Sequence, residues 1–398
     1  MGEGPLKGIK VVELAHIMAG PVCGLMLADL GAEVVKLEKL PGGDDSRRFL
    51  PPEIDGEPAA FMMMNRNKRG IAVDLKSEAG QAVARRLLTQ ADVAIENYRL
   101  GTLERLGLGY ESLRADNPGL ILCEISGFGR TGPYAERAGF DLIAQGMSGL
   151  MSITGEGEGR PPVKVGAPVT DITAGILGAL GVVAALHERD RTGRGQRVDT
   201  SLFEAGIVHS YWQSAIALAT GQSPGPMGSA HPLNAPYQAF KTADGWITVG
   251  AANQRNWLRL LEVLGAPELA EDPRFTDNAA RMANLAALAA RLEECFAAET
   301  TETWLERLEA AGVPAGPVLS VGQMHEDPQT RAREMVTEVA HSRLGPVETV
   351  GLPIKLSETP GQIARGAPTY GEHTREVLAE AGYSAAEIEA LLAAGAVA

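Results

Sequence analysis

The chain has 398 residues, long for a single core and natural for two domains, and 45% of them are hydrophobic. Its 36 lysines and arginines stand against 50 aspartates and glutamates, a formal charge of −14, which argues against nucleic acid or an anionic membrane as the main partner and makes any basic cluster informative. Cys23, Cys123 and Cys295 are far apart and lack C-x-x-C spacing, so the sequence predicts neither a disulfide framework nor a zinc site and fits a reducing cytoplasm.

The opening, MGEGPLKGIK, has no apolar signal region, which predicts a soluble, cytoplasmic protein. IKVVEL reads as a strand, AHIMAGPVCGLMLADLG as a helix ending at Gly31, and AEVVKLE as a second strand, together a βαβ unit. The pattern recurs in GIAVDLK, SEAGQAVARRLLTQA and DVAIENY, and again in ESLRADNPGLILCEISGFG. Alternating strands and helices predict an α/β fold with a parallel, doubly wound sheet. AGILGALGVVAAL, residues 174–186, is uncharged and reads as a buried helix too short and Gly-rich to span a bilayer. After Glu204, AGIVHSYWQSAIALATG reads as one helix leading into GQSPGPMGSAHPLNAP, the richest Gly and Pro stretch and the expected boundary. YQAFKTADGWITVGA then supplies two strands around ADG, and helical segments near Asn256–Leu264 and Asn284–Phe296 complete a smaller α+β domain. LGPVETVGLPIKLSETP is strand-like, and REVLAEAGYSAAEIEALLAAGAV closes the chain as two amphipathic helices. The expected division is a large domain over 1–205, a linker over 206–231, a small domain over 232–321 and a return segment over 322–398.

Glu38 at the end of the second strand invites a dinucleotide reading, but AHIMAGPVCG lacks G-x-G-x-x-G, the feature an NAD-dependent oxidoreductase needs. In NRNKRGIAVDLK, Arg66, Lys68 and Arg69 precede a strand and form either a phosphate-holding cluster or a solvated charged patch. Lys39, Lys76, Arg99, Arg105 and Arg137 fall mostly at or beyond strand ends, where open α/β sheets bind ligands; together they favour a polyphosphate. The seven histidines show no H-x-x-x-H spacing and no G-x-S-x-G elbow exists, so zinc and serine hydrolases lose their signatures. His16 follows the first strand as either a ligand contact or a structural histidine. Asp171, in GAPVTDITAG, is a carboxylate at the edge of an apolar helix with no basic neighbour. Such a group is costly unless it caps, pairs or reacts, so Asp171 or Thr170 is a helix N-cap, or Asp171 is catalytic.

Taken in order, VVELAHIMAGPVCGLMLADLGAEVVKLE, NRNKRGIAVDLK, ADVAIENYRLGTLERLGLGYE, GFGRTGPYAERAGFDLIAQGMSGLMSITG, GAPVTDITAG, GRGQRVDTSLFEA, AHPLNAPYQAFKTADGWITVGA and GVPAGPV resemble the family III CoA-transferases, a group that also contains the α-methylacyl-CoA racemases. The resemblance covers nearly the whole chain. It implies a Rossmann-like large domain built from both termini, a small domain between them, and an interlocked homodimer. It implies Asp171 as nucleophile, CoA contacts at His16, Met18, Lys39, Val73, Lys76, Asn97, Tyr98, Arg99, Arg105 and Arg137, and a substrate pocket at Phe140 and Asp141. Coenzyme A is then a co-substrate, with no metal or other cofactor, and the pattern looks most like succinyl-CoA-dependent transferases acting on dicarboxylates such as glutarate. In the racemases a histidine precedes the aspartate of the AGFDLIAQ segment; Phe140 holds that position here and exchanges no proton, which favours transfer over racemisation.

Overall fold

The computed structural model describes residues 4–398. They gather into two units, the first from Val165–His209, Pro328–Ala398 and the chain up to Leu150, the second from Met151–Lys164 and Ser210–Asp327.

The first unit opens with β1 (Lys10–Glu13), α1 (Ala19–Asp29) and β2 (Glu33–Lys39), and continues through β3 (Arg69–Val73), α2 (Glu78–Thr89) and β4 (Val93–Glu96). Next come α3 (Thr102–Arg105), β5 (Ile121–Ser126), α4 (Asp141–Met147), α5 (Val169–Thr192) and β6 (Arg197–Ser201). Near the end of the chain α6 (Thr374–Glu380) and α7 (Ala385–Ala393) rejoin this unit. The six strands pair in the order β3-β2-β1-β4-β5-β6, every neighbour parallel. This is the doubly wound order, and the direction of strand addition reverses between β1 and β4.

Both faces of the strands are apolar, as a sheet covered on both sides requires. Val12, Leu14, Leu37 and Leu122 pack with α2, α6 and α7 through Leu87, Leu88, Leu378 and Ile388. Val11, Val93, Ile95 and Cys123 pack with α1 and α5 through Leu27, Ala174, Val182 and Ala185. A Cβ on Gly175 of α5 would lie 2.6 Å from the Ala19 carbonyl oxygen and 2.8 Å from Cβ of Val22. Glycine there lets α5 rest directly on α1, so the second turn of α5 meets the first turn of α1.

At 24 residues α5 far exceeds the 174–186 stretch seen in the sequence and is the one helix among the described residues long and apolar enough to cross a membrane. Its inner face is instead buried in this core. The single helix expected over AGIVHSYWQSAIALATG is two, Leu202–Val208 and Tyr211–Thr220.

The Arg66, Lys68 and Arg69 cluster is neither a phosphate site nor a solvated patch. Arg66 pairs with Asp29 at 2.5 Å, Lys68 is fully buried against Glu13 at 2.8 Å, and Arg69 pairs with Glu376 and Glu380 at 2.8 Å. Each partner comes from a distant part of the chain, which local sequence does not reveal. Glu38 is likewise taken up, receiving Arg47 through two 2.7 Å hydrogen bonds.

The second unit has its own three-stranded antiparallel sheet of Ala315–Pro317, Trp246–Gly250 and Tyr237–Lys241. Phe240, Trp257, Phe296 and Trp304 form its core, with Phe240 stacked on Phe296 at 5.1 Å. It extends beyond residues 232–321: the rings of Trp212 and Tyr237 flank His231 at 5.8 and 5.3 Å, and Gly228 donates to the Gly155 carbonyl at 2.8 Å. These contacts draw most of the supposed 206–231 linker, and the 151–164 segment, into the second unit.

Candidate active site

The loops after β1 and β4 diverge at the switch point, and a cavity of about 320 Å³ opens between them at the carboxyl end of the sheet. His16, Met18, Asn97, Tyr98, Arg99, Arg137, Phe140 and Asp171 all line it.

Asp171 is delivered by α5. The N-cap position is Pro168, with no side-chain cap, so neither Thr170 nor Asp171 closes the helix end. That task falls to Asp141 at the start of α4, whose Oδ1 accepts from the Thr170 N–H at 3.0 Å and from its hydroxyl at 2.7 Å. The other Asp141 oxygen accepts from Gln145 Nε2 at 2.7 Å. Asp141 therefore fixes the first turn of α5 and is not among the residues that line the cavity, although its charge is felt at Asp171. The Asp171 carboxylate has no hydrogen bond or ion pair among the described residues; burial, and secondarily the charge on Asp141, push its pKa up to about 7. It is a partly desolvated carboxylate aimed into a cavity, with the properties of a nucleophile or a base.

The walls are set by backbone clamps. Asn97 Oδ1 accepts from the His16 N–H at 3.0 Å and Asn97 Nδ2 donates to the His16 carbonyl at 2.8 Å, so this amide holds the β1 loop while lining the cavity. The His16 ring lies 5.6 Å from that of Tyr98, and burial lowers its pKa, leaving a neutral imidazole at pH 7. Arg130 lines the cavity too, ion-paired with Glu96 and Glu124 and donating to the Tyr98 carbonyl at 3.0 Å. Sequence reasoning passed over Arg130. Its position in GFGRTG, just past β5 on the same sheet edge as Asn97, was the available signal. The loop it begins folds back on itself, since a Cβ on Gly127 would lie 2.7 Å from the Cα of Gly139.

Arg99 and Arg137 have no carboxylate partner among the described residues. Arg137 lies over the ring of Tyr134 at 4.0 Å, and both arginines, exposed, are among the residues that line the cavity. Phe140 stands exposed at the rim. The remaining expected contacts lie outside the cavity. Lys39 ends β2 paired with Asp45 at 2.6 Å, Lys76 is exposed beyond β3, and Arg105 ends α3, donating to Thr102 at 2.9 Å. Val73 is wholly buried in β3.

Comparison with known proteins fits this geometry. The chain is 42% identical over 387 residues to a succinate–glutarate CoA-transferase of Agrobacterium fabrum, covering 94% of this chain and 95% of that protein. It is 39% identical to a succinyl-CoA:mesaconate CoA-transferase of Haloarcula hispanica, with 95% and 97% covered. Among solved structures, a CAIB/BAIF family protein from Brucella suis superposes with a TM-score of 0.85 at 43% identity, covering 95% of this chain and all of the other. The model of CoA-transferase family III matches residues 6–374, and the chain belongs to that family as a CoA-transferase.

Proposed function

We propose that the protein moves CoA from succinyl-CoA to a dicarboxylic acid such as glutarate through covalent intermediates on Asp171, with coenzyme A as co-substrate and no further cofactor. The observation that carries this reading is a carboxylate without a partner in the same cavity as Arg99 and Arg137, cations without an anion. The names of its relatives, a succinate–glutarate and a succinyl-CoA:mesaconate transferase, support the choice of substrates.

An Asp171 oxygen attacks the thioester carbonyl, the C–S bond breaks, and CoA leaves as the thiolate from a mixed anhydride. The thiolate then attacks the Asp171 carbonyl of that anhydride, releasing the donor acid and leaving an aspartyl-CoA thioester. The acceptor carboxylate attacks this thioester, expels the thiolate and forms the second anhydride, whose acyl carbon the thiolate takes. Asp171 returns as a carboxylate and no net proton is consumed. Arg99 or Arg137 holds the distal carboxylate, which selects a dicarboxylate over a monocarboxylate. The nucleotide end of CoA runs along the carboxyl edge of β4, β1, β2 and β3, beyond which Arg105, Lys39 and Lys76 are exposed. The working form is an interlocked cytoplasmic homodimer; Ile176, Leu180 and Val183 expose an apolar stripe along α5 that a second copy covers.

The test is incubation with succinyl-CoA followed by peptide mass spectrometry, with a panel of carboxylic acids as acceptors. An acyl or CoA adduct on the peptide carrying Asp171, together with transfer to dicarboxylates, is the expected result. Rapid uptake of deuterium at the α-carbon of a 2-methylacyl-CoA without any transfer would overturn it in favour of a racemase.

A further inference from the structure

The turn joining β1 to α1 holds a conformation its own residues disfavour. Ile17 sits at φ 69°, in the left-handed region that a β-branched residue avoids. Asp44 holds it there. The two carboxylate oxygens accept from the Ile17 N–H at 3.0 and 3.2 Å. Asp44 is itself only 3% exposed and is anchored by Lys36 Nζ at 2.9 Å and by the Ser46 N–H and hydroxyl, both at 2.8 Å. Lys36 also donates to the Ala15 carbonyl at 2.9 Å, so one buried network grips the turn on both sides of His16. His16, Ile17 and Met18 line the cavity with Asp171, whereas Asp44 does not.

We propose that Asp44 is a positioning residue for CoA: by pinning Ile17 in the left-handed conformation it presents His16 and Met18 to the acyl-CoA. The inference rests on reading this cavity as the CoA site. Without the pin, Ile17 relaxes to extended or right-handed backbone, which rotates the peptide planes on either side of it and turns Met18 away from the cavity.

Glycine supplies a discriminating variant because it adopts positive φ without strain. By calorimetric titration of the full chain with CoA, Asp44→Ala, which removes both oxygens that accept from Ile17, is expected to bind about tenfold more weakly while keeping native circular dichroism. Adding Ile17→Gly to that variant is expected to recover about fivefold, since the left-handed backbone no longer needs holding. If Asp44→Ala does not fold, Ser46→Ala, which removes one anchor and leaves the ion pair, serves instead, with a weaker loss that Ile17→Gly again recovers. A role confined to balancing the charge of Lys36 predicts no recovery from the glycine, and that result overturns the proposal. Wild-type binding in Asp44→Ala also overturns it while leaving the CoA site intact, whereas a wild-type chain that binds no CoA overturns both readings.

Discussion

The charged network behind the β1–α1 turn, a floor on which the cavity wall rests without its residues lining the cavity, and the cavity interior treat buried charge in opposite ways. In the floor, burial pushes Asp44 up, but Lys36 at 2.9 Å and hydrogen bonds from Ser46 and Ile17 override it and hold the carboxyl well below its ordinary range. Glu13 stands between Lys36 at 2.9 Å and Lys68 at 2.8 Å, so anions and cations alternate through the network. In the interior, Asp171 meets the same desolvation with no cation beside it and rises to about 7, while Arg99 and Arg137 line the cavity without an anion. Desolvation is common to both regions; the built-in counter-charge is what separates them. A complete network rigidifies, and an incomplete one leaves its charges for a ligand to satisfy.

The largest expected effect lies in the interior. Asp171→Asn removes the attacking oxygen, and transfer should fall by at least about 10⁴-fold while CoA still binds, as steady-state rates and calorimetry together would establish. Unchanged turnover in that variant would remove Asp171 from the mechanism. In the floor the effect should be on stability instead. Lys36→Met strands Glu13 and Asp44 without one of their cations, and urea unfolding should report a loss of about 3–5 kcal/mol. Arg137→Ala makes the contrast explicit, with stability unchanged within about 0.5 kcal/mol and the KM for the dicarboxylate or the acyl-CoA raised about tenfold. Loss of stability there would mean that the cavity cations are structural after all.

Sequence and structure agree wherever the signal is local. The βαβ periodicity gives the parallel sheet, and the missing basic neighbour of Asp171 already marks it as a carboxylate in need of a role. Resemblance suggests that role, and geometry excludes the N-cap alternative by placing Pro168 at the cap and Asp141 on Thr170. What stayed hidden depends on partners far along the chain. Arg66, Lys68 and Arg69 read as a cationic cluster because Asp29, Glu13, Glu376 and Glu380 lie elsewhere in the sequence. The clamp that the Asn97 amide makes on the His16 backbone, across 81 residues of sequence, is equally invisible in the string. The left-handed Ile17 is invisible in AHIMAG, since nothing in that string favours positive φ and its cause, Asp44, belongs to another loop.

The smallest effect is the most direct measure of the difference between the two regions. A carboxylate whose folded pKa is about 7, against an ordinary 3.8, keeps its proton in the folded chain over a range where the unfolded chain has lost it. Below about pH 4 both states are protonated and Asp171 costs nothing. As pH rises toward 7 the folded state loses stability, and the full penalty is present above 7. Asp171→Asn, which does not titrate, should therefore match the wild type in acid and exceed it at pH 8 by on the order of 1–2 kcal/mol, a gain reduced by the partial exposure of the site. The same ionisation governs reactivity, because only the carboxylate attacks, so kcat/KM for acyl-CoA should rise through about pH 7. Asp141→Asn keeps an oxygen for Thr170 and removes the neighbouring charge, and it should move that midpoint down while leaving most of the elevation, since burial is the larger cause. A midpoint that falls all the way to the ordinary aspartate range on this substitution would mean that Asp141, rather than desolvation, sets the chemistry of Asp171.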